Sequence, residues 1–146
     1  MKERSNMVYL QVNVVTPGGM VYQHRAKQVH AITTDGGITI LPNHTPIIVP
    51  LGIDNLTVTR ITEEEKSNHL AVSGGILEVR DNIVNVIANT AERSRDIDLD
   101  RAEKAKEAAQ KFLSETENQK NKQEFQRAKI ALAKAINRIG VSDKSI

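Results

Sequence analysis

Near residue 90 the chain changes the kind of backbone it can form. All four prolines and seven of the eight glycines precede that point, and only Gly140 follows it. Nine of the thirteen alanines follow it, in a charged stretch with no Gly or Pro from Glu92 to Ile139. Ala, Lys, Glu, Gln and Arg favour helix, whereas Gly and Pro interrupt it. One architecture does not suit both halves. The expected fold class is therefore α+β in two parts. An antiparallel β-sandwich over residues 1–90 is followed by an antiparallel helical hairpin over residues 91–146.

Composition narrows the function classes. There is no Cys, so neither a disulfide frame nor a thiolate metal site is available. The start, MKERSNMVYLQV, has no apolar signal core, and no window approaches the roughly 18 apolar residues of a membrane span. A cytosolic chain that docks on something in a membrane fits these facts. Residues 91–146 carry thirteen Lys/Arg against ten Asp/Glu, and residues 1–90 carry seven against eight. That asymmetry is too mild for a nucleic-acid footprint. Trp is absent, and Tyr9, Tyr22, Phe112 and Phe125 are the only aromatics, too few for base-stacking platforms. The glycosylation sequons at Asn43 and Asn55 are coincidental without secretion.

In the front half, Val8, Leu10, Val12 and Val14 alternate with polar or amphipathic residues, the period of a half-buried strand. Thr16-Pro17-Gly18-Gly19 closes it with a turn. Further β-prone runs fall at Val29–Thr34, Ile38–Ile40, Ile47–Val49, Leu56–Thr62, His69–Val72, Ile76–Val79 and Asn82–Ile87. Turn signals at Asp35-Gly36-Gly37, Pro42-Asn43, Pro50 to Gly52, Glu63 to Asn68, Gly74-Gly75 and Asp81-Asn82 divide them. Many short strands so spaced indicate a sandwich or barrel. The Gly pairs match neither a phosphate loop nor a nucleophile elbow. His24, His30, His44 and His69 lack metal-ligand spacing. No nucleophile sits with a base, so no catalytic residue and no metal site is assigned.

In the tail, Asp96 or Asp98 can cap a helix, with Asp100 and Glu103 against its positive end. Leu99, Ala102, Ala105 or Lys106, Ala109 and Phe112–Leu113 give one apolar stripe. Phe125, Ala128, Leu132, Ala135–Ile136 and Ile139 give a second. The polar join from Ser114 to Gln123 makes an αα-hairpin, and Gly140 stands where a C-terminal cap belongs. The stripes are Ala-rich. At about 25 cal/mol per Å² they stabilise by only a few kcal/mol before chain entropy, so a partner can shift the hairpin between arrangements. On the second helix Arg127, Lys134 and Arg138 project together, because seven and eleven residues return to within about 20° of the start. The ridge suits an acidic partner or a solvated face.

Three segments, in order and at the right separations, resemble one family. They are Gly37-Ile38-Thr39-Ile40-Leu41-Pro42-Asn43-His44-Thr45-Pro46, Ala71-Val72-Ser73-Gly74-Gly75-Ile76-Leu77-Glu78-Val79 and Ala88-Asn89-Thr90-Ala91-Glu92-Arg93. From about Val8 to Ile139 the chain resembles the epsilon subunits of bacterial F-type ATP synthases.

The resemblance implies a non-catalytic central-stalk subunit, peripheral on the cytoplasmic face of the cell membrane, that couples ion-driven rotation to ATP synthesis. The sandwich would pack on the gamma subunit, and the loop Asp35 to His44, with Gly36, Gly37, Pro42 and Asn43, would face the c-subunit ring. The helices would switch between a folded form and an extended form that enters the alpha–beta hexamer and restrains ATP hydrolysis. Arg127, Lys134 and Arg138 would then face an acidic segment of beta, a contact sensitive to salt.

Some members also bind ATP in the folded tail, through an Ile/Leu-Asp-x-x-Arg-Ala pattern. Ile97-Asp98-Leu99-Asp100-Arg101-Ala102 fits it, and Glu92 precedes it. The implied site is Glu92, Asp98, Arg101, Lys134 and Arg138. Ala108 and Lys134 stand where nucleotide-binding members carry Arg, which implies weak binding of ATP as a regulatory ligand, with no cofactor required. A helix cap and a neighbouring surface charge would explain Asp98 and Arg101 equally. A stand-alone nucleotide-sensing module is the alternative reading.

Overall fold

The computed structural model describes residues 8–61, 64, 66–116 and 121–145. It divides into two compact units, Met1–Arg93 and Ser94–Ile146. The first is a β-sandwich and the second a helical hairpin.

Six strands build the first unit: β1 Leu10–Thr16, β2 Gly19–Thr33, β3 Gly36–Ile40, β4 Ile47–Arg60, β5 Ser67–Arg80 and β6 Ile83–Arg93. They lie in the order β1-β6-β5-β4-β2-β3, and β1 also pairs with β2, so the sheet returns on itself. Every pairing is antiparallel except β1 with β6. Period-two alternation decides which side chains turn inward. Leu10, Val12 and Val14 of β1 meet Leu77 and Val79 of β5 and Val84 and Val86 of β6 in one core with Val29, Leu56, Val58 and Leu70. Each such side chain contributes about 1.5–3 kcal/mol when fully buried.

Several turns expected from the sequence are strand interior. Pro50-Leu51-Gly52 lies within β4, where Pro50 pairs with Ile76 and Leu51 with Gly75. Pro50 has no N–H to donate, but its carbonyl accepts from the Thr34 amide at 3.4 Å. Gly74-Gly75 likewise lies within β5, with φ of +68° and +126°. Left-handed glycines at 74 and 75 bend β5 without ending it, and the Pro50 carbonyl keeps a partner in β4, so the runs on either side of each breaker are one long strand.

The segment Asp35 to His44 is not one loop either. Asp35 lies in the turn from β2, Gly36 and Gly37 open β3, and Pro42, Asn43 and His44 lie in the next turn. The five-residue β3 separates the two turns by roughly 17 Å.

Strand β6 ends in a buried polar cluster. The Tyr22 hydroxyl donates to Asn68 Oδ1 at 2.7 Å, the Arg93 guanidinium lies 5.2 Å from the Tyr22 ring centre, and His24 meets the ring edge-on. Burial pushes the Tyr22 phenol up to about 12, against the opposing pull of the Arg60 and Arg93 charges.

The second unit opens with a short 3₁₀ turn, Ser94–Asp96, and then has helices α1 Leu99–Thr116 and α2 Lys122–Ser142. Asp98 rather than Asp96 caps α1, its Oδ1 accepting from the Arg101 amide at 3.1 Å. Asn121 caps α2 through the Gln123 and Glu124 amides at 3.1 and 3.3 Å. Between the helices the buried side chains are small: Ala102 and Ala109 on α1, Ala128 and Ala135 on α2. Leu99, Phe112 and Ile136, expected in the stripes, are exposed, whereas Leu113, Phe125, Leu132 and Ile139 are half-buried. Gly140 is not the cap. The helix runs on to Ser142, with Asp143 as C-cap, because Val141 is buried and holds the last turn.

Candidate functional site

The β unit carries an apolar row on its outer face. Pro50 of β4 pairs with Ile76 of β5, Ile76 with Ile87 of β6, Ile87 with Val15 of β1, and Val15 with Met20 of β2. Five neighbouring strands thus present five apolar side chains side by side. Ile76, Ile87 and Met20 are 39%, 51% and 54% exposed. Leu77, Val86 and Val14, the chain neighbours of Ile76, Ile87 and Val15, point the other way, into the core. Sheets with one wet face put polar residues there, so an outward row of this kind marks a contact.

The next row is polar. Glu78, Asn85, Asn13 and Gln23 pair across β5, β6, β1 and β2, with Ile48 at its end on β4. Asn13 Nδ2 donates to Asn85 Oδ1 at 3.0 Å, and Gln11 Nε2 to Asn13 Oδ1 at 3.3 Å. An apolar centre with a hydrogen-bonded polar border is the make-up of a protein-binding surface. Sequence reading missed this row. The signal was present in the doublets Ile76-Leu77 and Val86-Ile87, since adjacent apolar residues on a strand cannot both face one core.

The expected ring-facing residues fall in two places. Asp35, Gly36 and Gly37 are exposed around the β2–β3 turn, whose Thr33 hydroxyl donates to the Gly36 carbonyl at 2.8 Å. Pro42, Asn43 and His44 form the β3–β4 turn, closed by the His44 amide on the Leu41 carbonyl at 3.2 Å. His44 Nδ1 lies 2.7 Å from the Thr45 carbonyl, so that nitrogen carries the proton and donates. Among the described residues no three His, Cys, Asp or Glu side chains converge on a metal position.

In the helical unit the expected nucleotide and basic-ridge residues divide by exposure. Asp98 and Arg101 are exposed at the start of α1, where Asp98 is engaged as the cap. Arg127 is exposed on α2, while Lys134 and Arg138 are half-buried. Ala108, on α1, is exposed and offers no charge. Glu92 belongs to β6 in the other unit, half-buried beside Arg93. No helix among the described residues is long and apolar enough to cross a membrane.

Known proteins share both halves of this arrangement. The family model for the beta-sandwich domain of the ATP synthase Delta/Epsilon chain matches residues 9–94. The model for the long alpha-helix domain of that chain matches residues 95–143. Among solved structures, a chain of the Euglena gracilis mitochondrial ATP synthase, in its OSCP/F1/c-ring in rotational state 1, superposes with a TM-score of 0.72 at 20% identity. The match covers 87% of this chain and 77% of that one. A chain of the Tetrahymena thermophila mitochondrial ATP synthase, from its central stalk and c-ring, gives 0.52 at 15% identity over 93% and 95%. At these identities the likeness is one of fold. With a sandwich and a helical domain matched in succession, the chain belongs to the Delta/Epsilon chain family of ATP synthase.

Proposed function

We propose that the chain is a non-catalytic subunit of the ATP synthase central stalk, seated on the gamma subunit through the outward apolar row. The row is the observation that carries this reading. A rotating part must hold its shaft through a stiff, complementary surface, and a closed sheet with an interdigitated core supplies one. The β2–β3 and β3–β4 turns face the c-subunit ring. Membrane attachment is then peripheral, on the cytoplasmic face, and arises only through the complex. Neighbours drawn from central-stalk and c-ring assemblies support that setting. Stoichiometric co-purification with gamma tests it, and a chain that ignores gamma would overturn it.

The helical unit restrains ATP hydrolysis by entering the alpha–beta hexamer in an extended form. Its alanine-rich interface supports this, because the fully buried side chains between the helices are small and such a contact is separable by a partner worth a few kcal/mol. Arg127, Lys134 and Arg138 meet the acidic surface of beta in that form. Truncation after Arg93, where the last β6 pairing ends, is expected to leave ATP synthesis in place while raising hydrolysis by the soluble sector severalfold. Unchanged hydrolysis would remove the inhibitory role.

ATP binds the helical unit weakly as a regulatory ligand, through Asp98, Arg101, Lys134 and Arg138. Ala108 and Lys134 leave two guanidinium groups fewer than the nucleotide-binding pattern has, the first with no charge in its place, and a charge-assisted hydrogen bond is worth about 1.5–3 kcal/mol. Calorimetry at millimolar ATP is expected to give at most a shallow isotherm that Arg101→Ala abolishes. Tight binding dependent on Arg101 would favour a nucleotide-sensing module instead.

A further inference from the structure

Among the described residues, three other than glycine hold left-handed backbone, and two of them are joined. Asn43 has φ +67°, Asp81 +50° and Asn82 +64°. Asp81 and Asn82 form the two-residue turn between β5 and β6, since Arg80 pairs directly with Ile83. With positive φ at both central residues this is a tight hairpin turn whose second position ordinarily prefers glycine. Here that position carries a side chain, and the side chain is used. The Asn43 amide donates to Asn82 Oδ1 at 2.6 Å, and Asn82 Nδ2 donates back to Asn43 Oδ1 at 3.3 Å. The Asn82 carbonyl also accepts from the Gln11 amide at 2.8 Å, which ties the turn to β1. One half-buried amide thus grips, from 39 residues away, the β3–β4 turn that carries Pro42, Asn43 and His44.

We propose that Asn82 is a positioning residue for docking, holding the β3–β4 turn in the conformation that meets the stalk's ring-side partner. The inference rests on the ring-facing reading of that turn. Without the grip, the turn keeps its local bonds, from the His44 amide to the Leu41 carbonyl and from His44 Nδ1 to the Thr45 carbonyl. Its left-handed Asn43 is then free to relax, and each encounter with the partner must reorder it.

Asn82→Gly separates the side chain from the backbone, because glycine suits the same φ. Hydrogen exchange on the full-length chain is expected to speed the Asn43 amide roughly three- to tenfold, the equivalent of one hydrogen bond, while the β5–β6 amides keep their rates. Asn82→Asp retains the acceptor and restores Asn43 protection. In complexes reconstituted with gamma and the c-ring, Asn82→Gly is expected to weaken retention of the subunit and Asn82→Asp to recover it. Unchanged Asn43 exchange overturns the inference, as does faster exchange with undiminished retention. The paired variant Asn43→Gly with His44→Ala tests the reading beneath it. If that variant too leaves retention intact, the turn does not face the ring at all.

Discussion

Gly75→Ala is expected to destabilise the β unit by about 3–5 kcal/mol, a large part of the roughly 5–15 kcal/mol that holds a domain of this size together. A Cβ at Gly75 would sit 2.2 Å from the Ile87 carbonyl oxygen and 2.7 Å from the Ala88 Cα, both backbone atoms of β6. Neither atom can swing aside, so the two central strands must part. The φ of +126° adds a conformational cost of about 1–3 kcal/mol for any side chain, and overpacking adds a similar amount. Gly74→Ala is the informative comparison. Its Cβ would meet the Asn89 Nδ2 at 2.7 Å, the far end of a side chain that can rotate away. Urea unfolding of the two variants should therefore show a large drop in midpoint for Gly75→Ala and a smaller one for Gly74→Ala. Equal midpoints for Gly75→Ala and the parent would mean that β5 and β6 do not approach as described.

Ile87→Asp is expected to leave the chain folded and to cut its affinity for gamma by about 30- to 1000-fold. Ile87 is half exposed, so the charge faces water in the free chain and its stability changes little. In the assembled stalk the carboxylate would be enclosed at the centre of the apolar row, between Ile76 and Val15. Central apolar anchors contribute about 2–4 kcal/mol to such interfaces, and an unpaired buried charge costs at least as much. Gln23→Asp, on the exposed polar border, should shift affinity by less than about 1 kcal/mol. Titration of labelled chain with gamma separates the two. Parity between Ile87→Asp and Gln23→Asp would move the docking surface elsewhere.

The division at the end of the front half was legible because it depends on local chemistry, on which residues permit which φ and ψ. So were β1, from its clean alternation, and the start of the first helix, with Asp98 one of its two candidate caps. The hairpin joining Leu56 to Leu70 was legible too, although Thr62, Glu63 and Glu65 lie outside the described residues. Strand β2 was only half visible. Its buried positions, Tyr22, Ala26, Val29 and Ala31, are spaced four, three and two apart, because a register shift after Ala26 breaks the period of two. Pro50 and Gly74-Gly75 read as ends because a local rule treats them so, whereas long strands crossing a closed sheet need bends. The apolar row escaped for a different reason. It exists only after pairing aligns residues up to 72 positions apart, and no linear period contains it.

Of the six strands, β3 alone pairs on one side only, and it is five residues long with two glycines at its start. Unpaired strand edges are templates on which like molecules stack into aggregates, and short ones offer little hold. A newly made copy waiting for its place in a large machine therefore offers, as a strand open along one whole side, only this short one through which to recruit another copy of itself.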